Sequence, residues 1–216
     1  MSKISIDGIT AYVEDSENYL QINDICDADL ERIWQHLRSD YADYDKWFCY
    51  HNMECPSILT CEFGAVIKDD NIETKLTSLD YYKYDANCVV RVTDENFAEF
   101  AVHHDELQPE MYWTSERLKR DLLRWGIFIL RAGNKTVGYI ILSMGDAIQA
   151  EIFCVKTLSK IQYEMLIAYA SKFAFDNGKD EVLFMVDKNS IAHKAALSVG
   201  FNVTGFYKGY KISRGL

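Results

Sequence analysis

The sequence predicts an α/β protein, with an α+β mixed sheet covered by helices. Three apolar stretches, IFILR (127–131), TVGYIILS (136–143) and AIQAEIFCV (147–155), are separated only by turn residues, which is typical of an antiparallel meander. A helical pattern separates this meander from EVLFMV (181–186), a continuous apolar strand of the buried parallel kind. A meander followed by strand, helix and strand predicts one mixed sheet with helices packed on it.

Caps and breakers place the helices of residues 87–216. A helix capped by Thr93 is predicted over 93–107 and ended by Pro109, and a second begins after Thr114. A long helix over 159–176 stops at Asn177-Gly178, a pair that favours a left-handed helix end. The other predicted elements are a strand over 87–92, a short helix over 187–199 closed by Gly200, and a terminal hairpin over 201–212 with a glycine turn.

Residues 1–86 carry weaker signals. YLQIND (19–24) is predicted as a strand, and residues 27–48 show helical apolar spacing through Leu30, Ile33, Trp34 and Leu37. Pro56 can start a short helix, and residues 64–77 resemble a hairpin around 69–71.

An internal repeat is one explanation of this first segment. At an offset of 136, Gly64 aligns with Gly200 and Leu76 with Ile212. The domain prediction is therefore an acidic α+β segment, 1–86, before a domain over 87–216. The segment is either a truncated copy of the same half-fold or an unrelated α+β cap.

Composition and charge exclude several classes of protein. Residues 1–86 hold 7 Lys and Arg against 18 Asp and Glu, and residues 87–216 hold 16 against 15. Nucleic-acid affinity depends on phosphate neutralisation, so this balance argues against nucleic acid. The chain lacks an apolar run long enough to span a membrane, and MSKISIDGIT lacks a signal core, so a cytoplasmic protein is expected.

The cysteine spacing predicts thiols and no metal site. None of the six cysteines forms a CxxC pair, and a cytosolic chain keeps its thiols reduced. Cys49, His51, Cys55 and Cys61 cluster in sequence, but zinc sites favour closer cysteine pairs.

The stretch NSIAHKAALSVGFNVTGFYKGYKI (189–212) resembles the last helix and terminal hairpin of the GNAT N-acetyltransferase superfamily. Asn189, Ala192, Gly200 and Phe201 match the family pattern, and the element order fits across residues 87–216. The resemblance implies the GNAT fold and transfer of an acetyl group from acetyl-CoA, as co-substrate, to a primary amine of a small molecule or peptide.

The same resemblance implies where acetyl-CoA binds. GNAT domains hold it where the fourth and fifth strands separate, with the pyrophosphate on N–H groups that begin the following helix. The family places a basic or amide residue and two small residues there, and the matching positions are Lys160, Tyr163 and Met165. The two large side chains either turn away from the N–H groups or close the site. The implied binding residues are Phe153, Cys154, Val155, Ser159, Lys160, Gln162, Tyr163, Asn189 and Ala192.

The resemblance also implies a general base, because members of this family often use a carboxylate on this strand, and Glu151 is the only acid in AIQAEIFCV. Alternation places Glu151 on one face of the strand with Gln149 and Phe153, and a solvated or salt-bridged carboxylate is the alternative. The family's general acid is often a tyrosine where this chain has Ala196. Tyr207 and Tyr210 are the substitutes considered, and simple packing of an aromatic hairpin is the alternative.

The stretch HHDELQPEMYW (103–113) lies where this family binds the acceptor. His103, Glu106, Tyr112 and Trp113 would suit an amine through charge and cation–π contact, and a helix end with a Trp-packed loop is the alternative. Two other functions stay open. One is a non-catalytic GNAT-fold binding or regulatory module, favoured by Tyr163, Met165 and Ala196. The other is a structural partner in a homodimer.

Overall fold

The computed structural model describes residues 1–77, 86–109 and 111–214, and it divides into two compact units. The first unit is Met1–Ile72 with Gly205–Leu216, and the second is Glu73–Thr204. The boundaries fall inside two long strands, so each unit contains part of a strand that begins in the other. The predicted division into a segment over 1–86 and a domain over 87–216 stays a prediction.

The first unit builds a sheet from its N-terminal strands and the end of the chain. The first three strands are antiparallel neighbours, the third and fourth are parallel, and the fourth pairs antiparallel with the last strand. The elements are β1 (Ser2–Ile6), β2 (Ile9–Glu14), β3 (Tyr19–Asn23), α1 (Asp27–Ser39), β4 (Asp45–His51), α2 (Ser57–Cys61) and β5 (Val66–Leu76).

The second unit repeats this arrangement. Its meander is antiparallel and its strand–helix–strand connection is parallel. The elements are β6 (Val89–Arg91), α3 (Phe97–Leu107), α4 (Ser115–Arg120), β7 (Trp125–Ala132), β8 (Lys135–Ser143), β9 (Gln149–Lys156), α5 (Lys160–Asp176), β10 (Glu181–Asp187), α6 (Ile191–Val199) and β11 (Asn202–Ile212).

The two halves of the chain share element order and strand length. β4 and β10 are seven residues long, β5 and β11 are eleven, and each pair is offset by 136 positions. Gly64 and Gly200, which follow α2 and α6, both adopt positive φ, at 68° and 117°. This is the offset found in the sequence, and the interpretation as a repeat stays a prediction.

Apolar spacing places the helices correctly. Leu30, Ile33 and Leu37 of α1 are fully buried in the core of the first unit, which confirms the predicted helix there. The core on one face of the second unit includes Phe97 and Phe100 of α3, Leu118 of α4, and inward residues of β7–β9.

Both predicted hairpins are wrong. Each of these segments contains one long strand instead of two short ones, β5 within 64–77 and β11 within 201–212. The glycines of β11 serve close approach instead of a turn. A Cβ on Gly205 would collide with Asn52 Oδ1, and one on Gly209 would lie 2.7 Å from Asp69 Oδ2. Asn52 Oδ1 in turn accepts the Phe206 N–H at 2.8 Å.

Three smaller corrections concern boundaries. β1 and β2 were not expected from the sequence. The helix predicted over 27–48 ends at Ser39, and β4 begins at Asp45. The cap of α3 is Asn96 instead of Thr93, whose N–H donates to the Asn96 side chain at 2.7 Å.

Candidate functional site

The parallel pair β9–β10 opens part-way along its length. Its paired residues run from Gln149–Glu181 to Ile152–Phe184, yet β9 continues to Lys156 and β10 to Asp187. The strands therefore separate beyond Ile152, and the β9 backbone on that side has no cross-strand register with β10.

The equivalent pair in the first unit is closed. β3 pairs with β4 along its whole length, from Tyr19–Asp45 to Asn23–Cys49. The next residue, Asp24, continues the pairing, since its N–H donates to the Cys49 carbonyl at 2.8 Å. Of the two matching strand pairs, only β9–β10 opens a cleft.

A bulge bends β9 where the cleft begins. Leu142 of β8 pairs with Ile152 and Ile141 pairs with Cys154, so Phe153 is an extra residue on β9. Bulges bend the strand that carries them and are over-represented next to active sites. Phe153 is 36% exposed, and its ring lies edge-on to Trp113 and Trp125, with centroids 6.5 and 5.9 Å away.

Glu151 lies on the face of the sheet that carries these aromatic rings. It is opposite Ser143 on β8, and Ser143 is opposite Trp125 on β7. Directly opposed residues share a face, so the carboxylate and the indole project to the same side. Glu151 is partly exposed, as a general base requires. The structure thus brings together three residues singled out from the sequence, Glu151, Phe153 and Trp113.

Cys154 and Val155 are buried strand residues beyond the bulge. Cys154 belongs to a buried polar chain that was not predicted. Its thiol lies 3.9 Å from the Tyr139 hydroxyl, which lies 3.1 Å from His104 Nδ1. His104 Nε2 donates to the Trp113 carbonyl at 2.7 Å, because a carbonyl oxygen can only accept, and Nδ1 is the ring nitrogen that bonds to the Tyr139 hydroxyl. Burial raises the pKa of both Tyr139 and Cys154.

Two other side chains, Asp105 and Arg117, connect α3, α4 and the residues just before α4. Asp105 accepts the Ser115 N–H at 3.1 Å and the Ser115 hydroxyl at 2.5 Å. Arg117 donates to the Tyr112 carbonyl at 2.7 Å, and its guanidinium lies 4.1 Å from the Tyr112 ring centroid. That ring face is therefore occupied by an internal cation. Helical spacing could have identified His104 from the sequence, because it continues the buried stripe of Phe97 and Phe100 along α3.

His103 and Glu106 lie on α3 in different surroundings. Glu106 is exposed. His103 lines an open groove of about 320 Å³ with Leu107, residues 136–139 of β8 and the end of β9 from Lys156 to Leu158. Gly138 allows the strand end to approach, because a Cβ there would lie 2.6 Å from the Thr157 Cβ.

The predicted pyrophosphate loop joins β9 to α5. Ser159 caps α5, and its side chain accepts the Gln162 N–H while the Gln162 side chain returns to the Ser159 N–H. The side-chain oxygen of Gln162, Oε1, also accepts from the Leu158 N–H at 3.3 Å and from the Thr157 hydroxyl at 2.9 Å. Lys160 pairs with Glu164 at 3.2 Å.

Tyr163 lies in the first turn of α5, next to this loop. Burial, the larger effect, raises its pKa, and the nearby Thr157 backbone lowers it. The Leu158 and Ser159 N–H groups both donate to the Gln162 side chain. The two alternatives for Tyr163 and Met165, turned away from the N–H groups or closing the site, stay predictions.

Asn189 and Ala192 lie at the start of α6, beyond the end of β10. Asn189 has positive φ, at 65°, and its N–H donates to His193 Nδ1 at 3.0 Å. Ala192 is partly exposed in the first turn of α6. Ala196, which holds the position of the family's tyrosine, is fully buried, so a larger side chain there would require repacking.

Tyr207 and Tyr210 belong to the first unit. The Tyr207 hydroxyl donates to Cys49 Sγ at 3.1 Å, and the Tyr210 ring lies edge-on to Tyr50 with centroids 5.9 Å apart. Burial raises the pKa of both hydroxyls. These are packing contacts, and a general-acid role for either residue stays a prediction.

The described residues lack a metal-binding group and a membrane-spanning helix. They contain no group of three or more His, Cys, Asp or Glu placed to hold a metal ion. No helix in the described part of the chain combines the length and apolar character needed to cross a membrane.

Comparison with known proteins gives matches by structure alone. No family model and no curated protein matches the sequence. A GCN5-related N-acetyltransferase from Kribbella flavida matches with a TM-score of 0.69 and 14% identity, covering 97% of this chain and 88% of that one. A functionally unknown conserved protein from Staphylococcus epidermidis matches with a TM-score of 0.68 and 14% identity, covering 99% and 94%.

A third solved structure extends the comparison to longer acyl groups. N-myristoyltransferase from Saccharomyces cerevisiae, with bound myristoyl-CoA and inhibitors, matches with a TM-score of 0.62 and 9% identity, covering 96% of this chain and 62% of that one. At these identities the likeness concerns the fold, and it confirms the mixed α/β sheet of the GNAT fold predicted from the sequence.

Proposed function

We propose that this chain, which has the GNAT fold, is an acyl-CoA-dependent N-acyltransferase. Acetyl-CoA is the proposed donor, and the acceptor is a primary amine of a small molecule or peptide. The separation of β9 from β10 beyond Ile152 carries the proposal. Buried backbone N–H and C=O groups need partners, and an extended ligand with amide groups can supply them along an open strand edge.

The solved structures support the acyl-transfer class. Those similar to this chain include acetyltransferases and a transferase holding myristoyl-CoA. The closed β3–β4 pair supports assigning the proposed reaction to the second unit. We also propose a cytoplasmic location, where the six free cysteines stay reduced.

Glu151 is the proposed general base. It accepts a proton from the acceptor ammonium, directly or through a water molecule, and the free amine attacks the thioester carbonyl carbon. A C–N bond forms while the carbonyl π electrons move to oxygen, where a backbone N–H of the open part of β9 stabilises the charge. The carbonyl then reforms, the C–S bond breaks, and CoA leaves as its thiolate, which takes the extra proton of the acylated nitrogen through solvent.

The acceptor is proposed to lie on the aromatic side of Glu151. Trp113, held by His104, forms the wall beside Phe153. Tyr112 contributes less to amine binding than expected, because Arg117 already covers its ring. His103 and Glu106 stay candidates for the acceptor route along α3.

A non-catalytic binding module is the second candidate. Two observations favour it: the Leu158 and Ser159 N–H groups are already bonded to Gln162, and Ala196 is buried where the family carries a hydroxyl. A module of this kind would keep the fold and the cleft without turnover.

Calorimetric titration of acetyl-CoA, followed by thiol release with a panel of amines, tests the proposal. Binding together with amine-dependent CoA release is the expected result. Binding without release from any amine would favour the module. Absence of binding at millimolar acetyl-CoA would reject the transferase and leave the module, which does not need tight acyl-CoA binding.

A further inference from the structure

The groove beside the C-terminal half of α3 lies away from the proposed reaction site. Its floor is the start of β8, and its walls are His103 and Leu107 on one side and Lys156 and Leu158 on the other. Its volume of about 320 Å³ is at the lower end of small-molecule sites, which enclose about 300–1,000 Å³. Lys156 is five residues beyond Glu151 along the chain, which corresponds to roughly 15 Å of extended strand.

Apolar side chains that water can reach form much of this groove. Leu107 and Leu158 line it with 52% and 83% of their surface exposed. Val137 of β8 also lines it. A concave apolar surface in contact with water favours an apolar ligand, because binding removes that surface from water.

The charges of the groove favour an anion. Lys156 is paired with Tyr139 of β8, and directly opposed residues share a face, so the lysine side chain projects to the side of the sheet that carries α3. The described residues that line the groove include Lys156 and His103 but no Asp or Glu. Within the described part of the chain, neither of these two side chains forms a hydrogen bond or an ion pair.

The carboxylates of α3 do not fill this role. Glu99 accepts hydrogen bonds from side chains of β7 and β8, and Asp105 accepts hydrogen bonds from the start of α4. Glu106 is exposed and does not line the groove. The ammonium group of Lys156 is therefore available to a negatively charged ligand.

We propose that this groove binds a small carboxylate with an apolar tail, with the carboxylate at Lys156 and the tail against Leu107, Val137 and Leu158. The site does not depend on the acyl-transfer function proposed above. The ligand is a free acid and not the acyl chain of a thioester, because a thioester carbonyl is neutral and would leave Lys156 without a charged partner. Hydrogen bonds between two ionised groups are stronger than those with a neutral acceptor.

Octanoate and octanamide are matched probes, because they share one tail and differ in charge. Methyl chemical shifts of Leu107, Val137 and Leu158 in labelled full-length protein follow each titration. We expect octanoate to shift these methyl signals to saturation. We also expect it to bind roughly 3- to 10-fold more tightly than octanamide, as a partly exposed charge-assisted contact provides.

Two surface substitutions test the two parts of the ligand. Lys156→Gln should reduce the affinity for octanoate to that for octanamide and leave octanamide binding unchanged. Leu158→Ser should weaken both probes by roughly 2- to 5-fold, because it removes apolar contact area. Lys194→Gln on the exposed side of α6 is the control, and it should change neither affinity.

Three results would each overturn the proposal. They are the absence of saturable methyl shifts with octanoate, equal affinity for octanoate and octanamide, and octanoate binding that Lys156→Gln leaves unchanged. None of these measurements uses acetyl-CoA or an amine acceptor, so their outcome is independent of the tests of acyl transfer.

Discussion

At the residue scale, the proposed general base is Glu151. It is partly exposed, lies one residue before the end of the β9–β10 pairing, and faces the side of the sheet with Trp113 and Trp125. Its carboxylate is two residues from the bulge that opens the cleft. Sequence alternation could place it on a face, but only the strand register shows which face that is.

We predict that Glu151→Gln lowers kcat at pH 7 by roughly 10²-fold or more, because general-base catalysis contributes about 10²–10⁴-fold. The affinity for acetyl-CoA should not change. Steady-state kinetics from pH 6 to 10 check this, and activity should partly recover at high pH as the amine loses its proton to water. Glu116→Gln on exposed α4 is the control. A pH profile identical to that of the unsubstituted chain would remove Glu151 as the base.

The buried hydroxyl of Tyr139 makes a second prediction. Tyr139→Phe leaves His104 Nδ1 without its hydrogen-bond partner, and an unsatisfied buried polar group costs about 1–3 kcal/mol. Urea unfolding should show this loss of stability, while Tyr12→Phe on half-buried β2 should change the free energy of unfolding by less than about 0.5 kcal/mol. Equal stability of the two variants would contradict the hydrogen-bonded chain from Cys154 to Trp113.

At the element scale, α3 is tied to the sheet by one carboxylate. Glu99 accepts from Arg131 of β7, with Nη2–Oε2 at 2.5 Å and Nε–Oε1 at 3.2 Å, and from the Thr136 hydroxyl of β8. The hydrogen bond from Arg131 is the largest effect that lowers the Glu99 pKa, and the hydrogen bond from Thr136 is the second. The helix that carries His103 and His104 is thereby held against the meander.

A lowered pKa in the folded state predicts a pH-dependent stabilisation. The contribution of Glu99 is fully present above its unfolded pKa, and it is lost as pH falls through the folded value. Glu99→Gln should therefore destabilise the chain at pH 7, with a smaller difference at pH 3. Denaturant unfolding at both values measures this, with Glu95→Gln as the control. A difference that grows toward acid pH would contradict the assignment.

The matching elements of the two halves show how one topology can open or stay closed. β9 carries the Phe153 bulge and separates from β10, whereas β3 pairs with β4 to its last residue. We propose that the first unit is the non-binding copy of a repeat.

At the scale of the whole molecule, the end of the chain completes the first unit. β11 pairs with β4 from Tyr207–His51 to Ile212–Lys46. Tyr210 and Ile212 are part of the buried core of that unit. Lys46, the β4 residue paired with Ile212, is buried, and this burial lowers the pKa of its ammonium group.

We predict that a chain ending at Thr204 loses the structure of the first unit, because β4 loses a strand partner and the core loses two apolar residues. Hydrogen exchange of peptides from 19–23 and 45–51 should become fast, while that of 125–143 changes little. A chain ending at Ile212 is the control. Retained protection of β4 after removal of Gly205–Ile212 would show that this unit does not need the terminal strand.

Local sequence alone determined much of this protein. Apolar spacing and caps determined α1, α5 and the meander β7–β9, because helix and strand periods impose different burial patterns. The tertiary structure alone decided what the glycines do, since Gly205 and Gly209 accommodate Asn52 and Asp69 and do not form a turn. It also decided that the Gln162 side chain bonds to the loop before α5 and that β9 separates from β10 while β3 stays paired with β4. These outcomes depend on distant partners and strand register, which no local pattern encodes.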